Sequence, residues 1–588
     1  MKPFQPLFLL LLFVQLCFTQ SVFAQQKLDH ILDMVHHNPG EPLTNSAFTD
    51  PAYLKTNGFN GQVINDFTFA HAAVTFDALQ KDIFPKGTKE RTWVENAAAK
   101  VRSNIANAHK AGIKAYYFTD LIVLPKKLVE VYADEILDEN GKISLERPKT
   151  IELHRLMLDE LFQQFPELDG LVIRTGETYL NNVPFHTGNN PITKGEQSHI
   201  KLLQLLRDEV CVKRNKKIFY RTWSFGGMHE EPVYYLNVTK NVDPHPNLIF
   251  SVKHTKGDYH RTFDFNPTLA IGNHPQVVEV QCQREYEGKG AYPNYVMNGV
   301  IEGFEEYATS KPQQGKKSLR DIASSPTFKG VWSWSRGGGW VGPYISNEFW
   351  CKVNAFVLST WAADPSMSEE KAFEQFMDKA GITGSSRQAF RKLSLLSATA
   401  VLKGHNSAMQ QFDPEWVWWM RDEFLGGINP NTNGAKFDSE GVLYKAFVSY
   451  DSMGLLQKAV DEKFEAVKLW HQVVNLSKQV KMKDKADEEY VRLSSNYGLL
   501  LHNIIAEGWK IMAIGFQGDK NGKYNTKALA ASIANYDKLW QQYRQLKAGN
   551  PQVATLYKPN AFVYEAPVYH KEMGMDASVN KYRKLISK

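Results

Sequence analysis

The chain has 588 residues, enough for three or four average domains, or for one large barrel of about 250 residues with an appendage. Hydrophobic residues at 43% and charged residues at 22% exclude a collagen, a long coiled coil and a mostly disordered chain. A net charge of +6 with no basic run argues against nucleic acid as a partner.

The N-terminus reads as a secretory signal. Lys2 precedes the apolar run from Leu7 to Val14, and Val22-Phe23-Ala24 offers small residues to a signal peptidase. Residues 1–24 are therefore expected to be removed, leaving a secreted or periplasmic product. Leu16 before Cys17 lacks the small residue that a lipid anchor would want. Cys211, Cys282 and Cys351 remain, too few and too scattered for a disulfide framework or a zinc site. No later apolar stretch reads as a membrane span.

Eight short β-rich runs alternate with amphipathic helical stretches. They are Ile31–His36, Gln62–Asn65, Lys114–Phe118, Gly170–Arg174, Ile218–Trp223, Leu248–Lys253, Val277–Gln283 and Val331–Ser335. Helices are expected between them over Trp93–Ala111, Thr150–Phe165 and His199–Val212. Eight strands in this alternation predict a (β/α)8 TIM barrel over 25–365. A doubly wound sheet would want a glycine-rich phosphate turn, and none follows an early strand. After Asp364 the pattern is helical, over Ser366–Ala380, Arg387–Lys403, Val442–Val474 and Lys483–Gly515, which predicts a mostly helical C-terminal domain over 366–588. Gly426-Gly427, Asn429-Pro430 and Asn433-Gly434 mark a loop within it.

Barrel enzymes carry their chemistry at the C-terminal ends of the strands. Three carboxylates fall there: Glu177, Asp258 and Glu285. Glycoside hydrolysis needs two carboxyl groups flanking the scissile bond, and a third can tune or share the base role. Arg174, Arg221 and Lys253 fall at strand ends too, and cations facing a pocket suit an anionic substrate group. Period-two alternation would put Glu279, Gln281, Gln283 and Glu285 on one face of the seventh strand. The alternative is a buried ion-pair network among these same acids and bases. Trp223 and Trp334 could stack on a sugar ring or serve as barrel core. Trp416, Trp418 and Trp419 beside Arg421 could cap the pocket or belong to the helical core.

The order and spacing of these residues resemble glycoside hydrolase family 67, the α-glucuronidases. The resemblance runs from about Asn57 to Ala380 and is distant. The family's general acid follows a strand similar to Leu171-Val172-Ile173-Arg174-Thr175-Gly176-Glu177, and its base candidates match Asp258 and Glu285. Its carboxylate-gripping bases match Arg174, Arg221 and Lys253, and Trp361–Ser368 resembles its Trp-Asp-Pro segment. Three features depart from it: there is no room for an N-terminal α/β domain, Gly290–Gly299 differs, and Arg174 stands where the family favours Lys. The resemblance implies an inverting, exo-acting uronidase without a metal or other cofactor, acting on an oligosaccharide that carries a uronic acid. It also implies a homodimer through the helical domain. A barrel glycosidase for a neutral sugar and a catalytically silent carbohydrate-binding barrel remain open.

Overall fold

A computed structural model describes residues 27–37, 43–66, 68–223, 227–305, 315–338, 344–405, 442–554 and 574–587. The expected signal segment, the Gly426–Gly434 loop and Trp416, Trp418, Trp419 and Arg421 lie outside these residues.

Eight parallel strands close into a barrel: β1 (His30–His36), β2 (Gly61–Ile64), β3 (Lys114–Asp120), β4 (Gly170–Arg174), β5 (Lys217–Arg221), β6 (Leu248–Lys253), β7 (Gln276–Gln281) and β8 (Phe328–Gly337). Each strand pairs with its sequence neighbours and β8 closes onto β1, with Ile31 opposite Val331 and Asp33 opposite Ser333. A two-stranded antiparallel ribbon, Val123–Pro125 with His186–Gly188, decorates the loops.

Alternation along each strand builds two separate layers. Leu32, Met34, Val63, Tyr116, Phe118, Val172, Phe219, Ile249, Val277, Trp332 and Trp334 fill the barrel interior. The intervening residues, such as Ile31, Tyr117, Leu171, Ile173, Val278 and Val280, pack outward with the surrounding helices. Among those helices are Lys89–Lys110, Pro148–Gln164, Glu196–Leu206 and Phe349–Ala363. The first begins at Thr88, whose hydroxyl accepts the Arg91 amide as an N-cap.

A helical region follows: Glu369–Lys379, Ser385–His405, Val442–Ser452, Leu456–Ser477, Lys485–Asn521, Thr526–Gly549 and Gly574–Ile586. The expected single helix Val442–Val474 is two helices. Gly454, at φ +70°, turns the chain between them, a conformation glycine adopts without a Cβ clash. The expectation of no further membrane-length apolar stretch also needs correction. Lys485–Asn521 contains an 18-residue window of mean hydropathy 1.2, apolar and long enough to cross a membrane, with 67% of it buried inside the protein. Trp509, Ile504, Ile511 and Met512 on it are part of the core, so burial among helices accounts for its composition. Cys211, Cys282 and Cys351 are buried free thiols.

Candidate active site at the strand ends

The next inward position above the apolar fill is polar on strand after strand. Two residues beyond Met34, Phe118, Val172 and Phe219 stand His36, Asp120, Arg174 and Arg221, and all four are buried. Lys253 ends β6 and Gln281 ends β7. The barrel mouth is thus floored by charge.

That charge is internally paired. Arg174 donates through Nε and Nη2 to Asp120 at 2.6 and 2.7 Å. Arg221 donates through Nε and Nη2 to Glu279 at 3.0 and 2.9 Å, and Ser251 and Tyr259 complete that carboxylate at 2.9 Å each. Burial alone would raise the Glu279 carboxyl, but Arg221 and Lys253 outweigh it and hold it below its ordinary value. The ion-pair network weighed above therefore exists; Glu279 was among the acids expected in it, and Asp120 was not. Both arginines pair side-on, so Nη1 of each lies outside the pair; Arg174 Nη1 is 3.5 Å from Glu177 Oε2.

Glu177 sits just past β4 with its side chain 27% exposed. Asp258 lies in the loop after β6 at φ +52°, a left-handed conformation that costs a non-glycine residue free energy and often marks a functional site. Its carboxylate is held by the Lys253 ammonium and the Tyr286 hydroxyl. Burial pushes its pKa up, but Lys253, His260 and Tyr286 prevail and bring it down to about 2, so the group is anionic at neutral pH. His260 stacks on Tyr286 with ring centroids 3.7 Å apart. Lys253 Nζ also lies 4.0 Å from the Trp223 ring centroid and 4.5 Å from that of Tyr259.

The seventh strand corrects the expected stripe. It ends at Gln281, so only Glu279 and Gln281 share the inward face. Gln283 turns to accept the Arg336 Nε at 3.2 Å and the Gly337 amide. Glu285 stands in the loop beyond, where Gln281 Nε2 donates to its Oε2 at 3.0 Å. Neighbouring Arg284, at φ +62°, is a buried latch. It pairs with Glu287 at 3.1 and 2.7 Å and donates to the Tyr259 carbonyl at 2.9 Å. The loop carrying Glu285 and Tyr286 is thereby tied to the loop carrying Asp258. Tyr292 and Tyr295 anchor it further to His405 at 2.8 Å and to Glu369 in the helical region.

Trp334 is part of the barrel interior. It stacks on His36 at 4.8 Å and 20°, and the Arg221 guanidinium lies 4.9 Å from its centroid. Trp223 is half-buried, two residues beyond β5. Burial first, then the charges of Arg174, Arg221, His37 and Lys253, push the His36 imidazole well below its ordinary pKa. The sequence reading passed over Asp120 and His36. Both were legible by alternation: the expected third strand stopped at Phe118, two residues short of Asp120. Among the described residues no group of three His, Cys, Asp or Glu could hold a metal ion.

This is a TIM barrel followed by a helical region, an architecture shared with a solved glycoside hydrolase. A GH138 enzyme that targets pectin rhamnogalacturonan II superposes with a TM-score of 0.58 at 11% identity, over 96% of this chain and 84% of that one. CpGH84B has a TM-score of 0.40 at 9% identity, over 95% and 77% of the two chains. The Thermobaculum terrenum O-GlcNAc hydrolase also has a TM-score of 0.40, at 8% identity, over 96% and 94%. No protein-family model matches the chain, and no curated protein does. At such identity the first likeness establishes architecture and leaves substrate to the site itself.

Proposed function

We propose that this protein is an inverting, exo-acting glycoside hydrolase that releases a uronic acid from plant or algal polysaccharide fragments, in the manner of an α-glucuronidase. The observation that carries the reading is the side-on pairing of Arg174 and Arg221. Buried carboxylates fix both guanidiniums and leave Nη1 of each outside the pair, that of Arg174 beside Glu177. Prefixed donors of this kind suit a sugar carboxylate, because little ordering remains for the substrate to impose.

Glu177 is the general acid that protonates the leaving oxygen. Its Oε2 lies 3.5 Å from Arg174 Nη1, beside the donor proposed to grip the sugar carboxylate. Asp258, at a pKa of about 2 and held by two donors, is a weak base. It supplies fixed negative charge to the oxocarbenium-like transition state, and Glu285 takes the proton from water. Inversion calls for about 6.5–9.5 Å between acid and base carboxyls, room for that water. Residues 1–24 would direct the enzyme out of the cytoplasm.

The internal pairing also favours a second reading, hydrolysis of a neutral sugar, since each basic residue already holds a carboxylate. One experiment decides. The protein is incubated with glucuronic-acid-decorated oligosaccharides and with their carboxyl-reduced analogues, and the released anomer is followed by NMR. Release of the β-anomer from the acidic α-linked substrate alone, abolished in Glu177→Gln, supports the uronidase. Equal turnover of the reduced analogue selects the neutral-sugar reading, and binding without turnover a silent barrel.

A further inference from the structure

A cavity of about 480 Å³ opens between the barrel's outer helices and the helical region, and shares no lining residue with the strand-end site. Its walls come from four segments: the short helix Pro51–Thr56, the barrel helix Phe349–Ala363, the helix Glu369–Lys379 and the start of Lys485–Asn521. The volume falls within the range of small-molecule sites, roughly 300–1,000 Å³. Its floor is aromatic, with Tyr53 and Phe356 half-buried over buried Phe349 and Phe376.

Three lysines surround this floor: Lys352, Lys379 and Lys483. Among the described residues none of them lies within ion-pair distance of a carboxylate. Lys379 donates to the neutral Asn57 Oδ1 at 2.7 Å and stands 4.8 Å from the Phe356 ring centroid. Lys352 Nζ is 6.0 Å from the Tyr53 centroid. The two acids nearby do little to neutralise them. Asp484 caps the helix that follows, accepting the Ala486 amide at 2.8 Å. Asp487 is half-buried; burial, then Asp484, raise its pKa, against the pull of Lys352. Desolvation lowers the Lys379 pKa, although the residue as a whole is exposed.

We propose that this cavity is a second binding site, for a single carboxylate-bearing ring, with the ring on the Tyr53 and Phe356 side chains and the carboxylate among Lys352, Lys379 and Lys483. A flat apolar face satisfies the aromatic floor, and one anionic group satisfies the lysines. A hexuronate and an aromatic carboxylate share this chemistry. Because the walls come from both the barrel and the helical region, an occupant joins the two and stabilises the folded protein by mass action.

The test uses the full chain, with isothermal titration and thermal melts against glucuronate, galacturonate and benzoate, and glucose as the uncharged control. At least one acid is expected to bind and raise Tm, and glucose is not. Lys352→Glu with Lys379→Glu should weaken binding by about tenfold or more, while Lys379→Arg retains it. Circular dichroism checks that each variant folds, and Lys379→Met serves if the double variant does not. Binding of the uronates assigns the site to carbohydrate; binding of benzoate alone assigns it to aromatic acids. Failure of all three acids to bind, or equal binding by the lysine variants, overturns the proposal. Arg221→Met should leave this binding intact, and its loss there would place the ligand at the strand ends instead. Because titration needs no turnover, the outcome is independent of the hydrolase reading.

Discussion

Two aspartates on opposite sides of the barrel wall, Asp33 buried and Asp258 16% exposed, end in opposite charge states. Asp258, above the barrel mouth, has Lys253 and Tyr286 as partners and is driven down to about 2. Asp33 is on β1, on the face turned away from the interior residues Leu32 and Met34, and its partner is a hydroxyl, Ser335 Oγ at 2.8 Å. There burial pushes its carboxyl up to about 8, against the hydrogen bonds of Ser335 and Ser333. Both groups are withdrawn from water, and only one has a cation. Desolvation penalises the charged form at both places; an adjacent ammonium outweighs that penalty and hydroxyls do not. The mouth is therefore a place where this fold keeps carboxylates ionised, and the outer wall a place where it keeps one neutral.

The largest expected effect breaks the charged side. If Asp258 supplies transition-state charge, Asp258→Asn lowers kcat by about 10²–10⁴ with the fold intact, read by steady-state kinetics beside circular dichroism. Next is the floor. Arg221→Met leaves the Glu279 carboxylate buried without its cation and should cost about 3–5 kcal/mol in urea unfolding. Adding Glu279→Gln to that variant should recover part of the loss, because the stranded charge goes with it.

The pH dependence sharpens the contrast, since the two aspartates tilt stability in opposite directions. Asp33 has a folded pKa above the ordinary carboxyl value of 3.8, so the native state keeps a proton that the unfolded chain releases. Its contribution is complete below about pH 4 and is lost as pH rises toward 8, by about 1.36 kcal/mol per unit at most. Asp258 has a lowered folded pKa; its contribution is complete above about pH 4 and lost as pH falls toward 2. Asp33→Asn should therefore flatten the decline between about pH 4 and 8 and stabilise the protein most at the alkaline end, as read from urea midpoints. An unchanged slope would mean that Asp33 is ionised. Smallest is Ser335→Ala, which removes one buried hydrogen bond to Asp33 and should cost about 1 kcal/mol.

The sequence by itself determined the architecture and named several of the polar groups at the strand ends. Alternation with period two is local, so runs such as Gly170–Arg174 and Leu248–Lys253 could be delimited residue for residue, and the polar groups at their ends could be named. Helical periodicity is equally local, although it ran through Gly454 because apolar spacing resumes on both sides of that turn. Only the tertiary structure decided who pairs with whom. Arg174 meets Asp120 across 54 residues, and Arg221 meets Glu279 across 58. Closing the ring of strands puts them within reach of each other. Arg284, one residue beyond the strand expected over Val277–Gln283, is a latch between two loops because the chain leaves the sheet at Gln281. Charge state depends on partners and on distance from water, and both are set by parts of the chain that no local pattern connects.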